Sequence, residues 1–144
     1  MGLYSVNRSN VALNTTDDLM TFIAPANRRI RIVEVSIGGM GTASAANELR
    51  VARSTGGTTG GGALTAEPLE PDSVTAGSTV NTTWSAQPTI GNVMLRLPVN
   101  ANGGVYRWVA RPGEEIVARN SGQISLRSAV GTSSVSVHVV FEEF

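Results

Sequence analysis

One imidazole, no thiol and no lysine set the chemical repertoire of this chain. His138 is the single histidine, and Cys and Lys are absent from all 144 residues. A Ser-His-Asp triad needs a base beside a nucleophile and an orienting carboxylate, and no G-x-S-x-G elbow is present to seat the serine. His138 falls on the polar phase of a strand-like run and is expected to face solvent or a partner. Thiolate catalysis and Cys/His zinc sites need residues the chain lacks. A Walker-type phosphate loop needs a lysine to reach the phosphates. Carboxylates are paired at Asp17-Asp18, Glu114-Glu115 and Glu142-Glu143, but adjacent strand residues point to opposite faces, so such pairs do not readily converge on one sugar or metal. No D-x-D-x-D-G calcium loop surrounds Asp17-Asp18. All three pairs read as solvated charges of turns and termini. Gly39-Met40-Gly41 carries two glycines of a dinucleotide fingerprint, but position 44 is Ser44 and no amphipathic helix follows, so the segment reads as a hairpin end. The expectation is a chain that is not an enzyme, with no catalytic residue, metal ligand or cofactor.

Two features could bind rather than react. Trp84 and Trp108, with Tyr106, could make an aromatic platform for a sugar or a base. Tyr106 and Trp108 share a strand phase opposite Val105 and Val109, so that strand is either covered on both sides or exposes aromatics. Core filling is the commoner use of aromatics in a chain that has only two Trp, two Tyr and three Phe. The second feature is arginine: all 11 cations are Arg, whose fork makes bidentate contacts that survive at interfaces. Arg28, Arg29 and Arg31 form the densest cluster. The net charge is +0, whereas nucleic-acid binding needs an excess of cations on some face. The cluster therefore reads as protein-contacting, or as partners for the carboxylates of a second subunit.

The elements that must position these residues are strands. Gly (16) and Ser plus Thr (28) dominate, only 15% of residues are charged, and the residues that favour long exposed helices are scarce. No run of 18 apolar residues is present, so no membrane-spanning helix is expected, and the N-terminus lacks the apolar core of a secretory signal. Residues 1–18 show no sustained periodicity and read as an extended arm; Tyr4 and Leu13 would anchor it on a neighbouring surface or fold back onto their own sheet. Residues 19–144 read as one domain. Strand signals cover Leu19–Ile23, Arg28–Ile37, Asn47–Ser54 and a short edge near Ala63–Ala66. Later ones cover Asn92–Leu97, Val105–Val109, Glu115–Arg119, Gln123–Arg127 and Ser134–Glu142. Between Ile32 and Val33 the apolar phase flips, which requires a bulge or burial on both sides. The five glycines within residues 55–62 read as a mobile loop, and residues 63–91 as irregular, with a crossing connection that carries Trp84. In the last strand Val135, Val137, Val139 and Phe141 keep one phase, the pattern of a half-buried antiparallel strand.

Eight or nine short strands without a helix predict an all-β antiparallel β-sandwich. No Cys…Trp…Cys pattern supports an immunoglobulin version, and the long 55–91 connection suits the jelly roll. The order of segments also resembles the jelly-roll decoration (cement) proteins on the outside of tailed-bacteriophage heads. The resemblance rests on a polar arm, then Arg29-Ile30-Arg31-Ile32-Val33-Glu34-Val35, a small-residue loop, Leu49-Arg50-Val51-Ala52-Arg53-Ser54 and a Gly/Thr tract. Glu67-Pro68-Leu69-Glu70-Pro71, Trp84-Ser85-Ala86-Gln87-Pro88-Thr89 and Pro112-Gly113-Glu114-Glu115-Ile116 follow.

The resemblance implies a structural virion protein, made in the host cytoplasm, that sits on the outer capsid surface as a homotrimer. It would contact the major capsid protein where capsomers meet, with no nucleic acid or membrane involved. Tyr4, Arg8, Leu13, Arg28, Arg29, Trp84 and Gln87 are the expected contact residues for the trimer or capsid. The competing reading is a carbohydrate- or receptor-binding β-sandwich module of a phage tail, which predicts a solvent-exposed aromatic pair in a groove and glycan binding lost in Trp84→Ala. Fold class does not separate the two.

Overall fold

The structure is a computed structural model that describes residues 2–144; Met1 lies outside the described residues. The elements are β1 (Gly2–Ala12), β2 (Met20–Ile23), β3 (Ile30–Met40), β4 (Ala46–Thr55), β5 (Thr58–Leu64) and β6 (Glu67–Pro68). They continue with β7 (Thr79–Ala86), β8 (Thr89–Asn100), β9 (Asn102–Val109), β10 (Ile116–Ala118), β11 (Gln123–Val130) and β12 (Ser134–Glu143). All pairings are antiparallel. Sheet A has the order β10-β3-β12-β1-β6, with β9 also paired to β3, and sheet B has the order β5-β7-β2-β11-β4-β8.

The pairing pattern explains how one chain makes two sheets. The first half pairs with the second in reverse order: β1 with β12, β2 with β11, β3 with β9 and β10, β4 with β8. Apart from β9 and β10, which together fill one place beside β3, the paired strands of each half alternate between sheets, so the chain behaves as one long hairpin rolled into a sandwich. This is the jelly-roll strand order expected from the sequence. There are twelve strands rather than eight or nine, because the segment between β4 and β8 adds β5 and β7 to sheet B beyond β2, and β6 to sheet A beyond β1.

Between the sheets, Val135, Val137, Val139 and Phe141 of β12 are at most 2% exposed, as their phase required. The phase flip in β3 is a bulge. Val140 faces Glu34 but Phe141 faces Ile32, so Val33 is the extra residue and both Ile30-Ile32 and Val35-Ile37 reach the core. Phe141 stacks on Tyr4 at 5.6 Å in sheet A and meets Phe22 of sheet B edge-on at 5.4 Å. The Phe141–Phe22 contact ties the two sheets together.

Two expectations are corrected here. Residues 2–12 are not a free arm: β1 lies inside sheet A between β12 and β6, with Tyr4 and Val6 in the core. Alternation is present but stops at a bulge between Arg8 and Val11, where Asn10 takes a left-handed φ of 51°, and the polar residues beyond that point obscure the pattern. The Gly/Thr tract is likewise not a loop; it forms β5 against β7, with three register shifts. Glycine there permits close approach: a Cβ on Gly57 would lie 2.8 Å from the Trp84 ring, at a φ of +88°.

Candidate interaction surface

The expected contact residues separate into those used up inside the fold and the surfaces left open. Trp84 and Gln87 belong to the first group. β7 and β8 sit on opposite sides of β2, β11 and β4, so residues 84–89 must cross sheet B. Four strand spacings of about 4.8 Å make a span of about 19 Å. The crossing expected from the sequence is present, and it is pinned by a buried polar cluster. The Trp84 indole Nε1 donates to Thr21 Oγ1 at 3.0 Å, the Asp18 amide donates to Gln87 Oε1 at 3.0 Å, and Arg127 Nη2 donates to the Pro88 carbonyl at 3.0 Å. At its centre the Asp18 carboxylate accepts from the Thr21 and Ser125 hydroxyls and from Arg127 Nε at 2.7 Å. Asp18 is 4% exposed and Arg127 8%. Asp17 is exposed and Asp18 buried, but both lie in the bend before β2 rather than on a strand, and the reading of both as solvated charges is corrected. Trp84 is buried, so no groove displays it. Tyr106 and Trp108 lie apart from it on β9 of sheet A, and the three do not assemble into a sugar platform.

The arginine cluster is also spent within the chain. Arg28 pairs with Glu143 at 3.2 Å, and Arg31 pairs with Glu142 while its guanidinium lies 4.9 Å from the Phe144 ring centre. The carboxylates come from the chain's own last strand, not from a second subunit. Arg29 is held through its backbone, which exchanges two hydrogen bonds with Phe144, and its side chain stays exposed. Glu143 is fully buried and also accepts from the Gly77 amide and from the Ser78 amide and hydroxyl, tying the loop before β7 to β12. Burial pushes its carboxyl up, but the hydrogen bonds from Ser78, Gly77 and Arg28 outweigh that and hold it below the usual carboxylate range. Tyr4 lies beside this group and donates to the Val74 carbonyl at 2.9 Å; burial, reinforced by the Glu143 charge and opposed by Arg28, pushes its phenol up. Arg8 is half-buried, and its Nη1 donates to the Leu19 carbonyl at 2.8 Å. Leu13 is 2% exposed. Tyr4 and Leu13 thus fold back onto their own sheets, the second of the two options the sequence left.

What remains open is the outer face of sheet A. Three rows run across β9, β3, β12 and β1: Val105-Gly38-Ser136, Arg107-Ser36-His138-Asn7 and Val109-Glu34-Val140-Ser5. Val105 is 78% and Val109 50% exposed; on the other phase Trp108 packs against the core while Tyr106 stays 38% exposed, so this strand does expose an aromatic. Arg107 grips Glu34 through two bonds of 2.7 and 3.0 Å, and this pairing holds the Glu34 carboxyl below its usual range. His138 is exposed at the middle of the face. Beside it the small side chains of Ser9, Ser36, Gly38 and Ser136 leave a shallow depression of about 230 Å³.

A second concavity, of about 710 Å³, opens between the end of β4 and the turn from β10 to β11. Arg53 and Arg119 line it without any Asp or Glu, and Arg53 Nη1 donates across it to the Val117 carbonyl at 2.7 Å. No group of three or more His, Cys, Asp or Glu residues suited to a metal occurs among the described residues.

Sequence reasoning missed Asp18, Arg127 and Glu143. Glu143 had a signal: continuing the apolar phase of Val135 through Phe141 by two residues puts it on the buried face. Asp18 and Arg127 had none, because the crossing strand that buries them is a tertiary event. No protein-family model, curated protein or solved structure matches this chain.

Proposed function

We propose that this protein is a non-enzymatic capsid decoration (cement) protein of a tailed bacteriophage. It acts as a homotrimer on the outside of the head, where it contacts the major capsid protein and bridges capsomers. The observation that supports this reading most is the outer face of sheet A. Four strands contribute to it, small residues pave its centre, and exposed Val105, Val109 and Leu3 border it. Such a face suits a polypeptide surface with a mixed apolar and polar contact, in which water is excluded over a wide area. The jelly-roll order and the segment resemblance agree with it, and the interlocked interior supplies a rigid body to present it.

The mechanism is linkage. A protein that binds only the mature lattice stabilises that lattice by RT ln(1 + [L]/Kd), about 2.7 kcal/mol per site at a hundredfold excess over Kd. The test uses heads purified without this protein and heated with and without it. Decorated heads are expected to release their DNA at a higher temperature, in proportion to occupancy. Equal release temperatures at saturating protein would refute the proposal. Glycan binding abolished by Trp108→Ala would favour the tail-module reading instead.

A further inference from the structure

The chain carries 11 cations and 11 anions, some paired within the fold and some not. Five ion pairs among the described residues use Asp18, Glu34, Glu48, Glu142 and Glu143. Among the charges outside these pairs, two local groups are of one sign. Glu67, Glu70 and Asp72 stand exposed on one loop with exposed Leu69 and Val74, and no cation occurs between Arg53 and Arg96. Arg53 and Arg119 line the concavity of about 710 Å³ beside β10, which holds no acid.

We propose that the loop 67–74 of one copy docks in the Arg53–Arg119 groove of the next, head to tail, and that this contact closes the homotrimer. The inference rests on the trimeric reading above and names its interface. Position supports it first. The loop leaves β6, the outermost strand at one edge of sheet A, and the groove uses β10, at the opposite edge. A heterologous contact, which generates rings, needs its two halves on different sides of the protomer. Charge comes second: three carboxylates meet two guanidiniums, with Leu69 placed to cover the apolar stems beside Val117 and Ala118. Rigidity is third. Pro68 and Pro71 restrict the loop, the Leu69 amide bonds the Leu3 carbonyl at 2.9 Å, and the Ser73 amide bonds the Glu70 carbonyl at 3.0 Å. Little conformational freedom is then lost on docking.

Light scattering on the sized full-length protein tests this. The wild type is expected at three times its 15.0 kDa chain mass. Glu67→Gln/Glu70→Gln/Asp72→Asn, which alters only exposed side chains, is expected to raise the dissociation constant about a hundredfold, and Arg119→Glu to do the same. Salt raised from about 50 to about 500 mM should weaken the wild-type trimer. Reversing both sides in one chain (Glu67→Arg, Glu70→Arg and Asp72→Arg with Arg53→Glu and Arg119→Glu) should restore it, which excludes misfolding as the cause. A trimer that survives the loop variant and high salt refutes this interface but leaves the decoration reading standing. A wild-type monomer at high concentration refutes the interface and the trimer together, while uptake by heads still reports on decoration.

Discussion

Replacing Asp18 with Ala removes the carboxylate at the centre of the crossing that carries the chain over sheet B. The Arg127 side chain is 9% exposed and the Asp18 side chain fully buried. The loss therefore strands a guanidinium out of water, leaves the Thr21 hydroxyl without its acceptor and leaves Ser125 only Ser54 to bond. Breaking a buried pair from one side costs about 3–5 kcal/mol, most of it the uncompensated charge. That is a large part of the 5–15 kcal/mol typical of a domain. At this chain length it corresponds to a fall in Tm of about 10–15 °C. Urea denaturation followed by circular dichroism gives the number, and the slope m should stay unchanged if the folded state keeps its compactness. Removing both members, Asp18→Ala with Arg127→Ala, should recover part of the loss, since no buried charge is then stranded. In a Trp108→Phe background, the remaining Trp84 fluorescence should report the loosened crossing, because its Nε1 partner Thr21 loses its own anchor. A loss below about 1 kcal/mol, the range of exposed pairs, would refute the argument that this cluster fastens the crossing.

Further outcomes follow from other sites. Glu143 is held below its ordinary value of 4.5 by its donors, so its stabilisation is complete above that pH and is lost as pH falls through the lower folded-state value. Acid titration of stability should therefore steepen below about pH 4.5, and Glu143→Gln should flatten that limb; an unchanged limb would show that Glu143 does not contribute. Gly39→Ala would put a Cβ 2.2 Å from the Asn100 carbonyl oxygen, whereas a Cβ on Gly38 finds its nearest neighbour at 3.9 Å. Gly39→Ala should cost about 2 kcal/mol or more and Gly38→Ala about 0.5 kcal/mol or less in the same denaturation assay; equal costs would contradict the close approach of the β8–β9 turn to β3.

The sandwich was legible because its core strands follow the simplest rule. Val135 through Phe141 alternate without interruption, and the Ile32–Val33 flip marked the position where the structure has a bulge, one of the two options it allowed. The N-terminal strand was hidden because Asn7, Ser9 and Asn10 look like linker, and only pairing with β12 makes their backbone a ladder. The glycine tract misled for a related reason: glycine favours disorder in an isolated chain, but against Trp84 it is the residue that fits. The contact surface was least legible. Of the seven residues expected there, Tyr4, Leu13 and Trp84 are buried, and Arg8, Arg28 and Gln87 bond within the chain. A residue type suited to an interface is equally suited to fastening a fold, and tertiary partners decide between the two. Among the described residues, Arg29 alone of the seven keeps an exposed side chain without a hydrogen bond or ion pair.

The most direct test of the account is uptake by bare mature heads. Purified protein is mixed with heads that lack it, the heads are sedimented, and bound protein is counted per head as concentration rises. Binding should saturate at a fixed number of copies, in multiples of three. Gly38→Leu, which fills the depression on sheet A from a position where a side chain finds open space, should fold normally yet bind about tenfold more weakly or worse. Binding that never saturates, or that Gly38→Leu leaves untouched, would contradict the claim that this face carries the function.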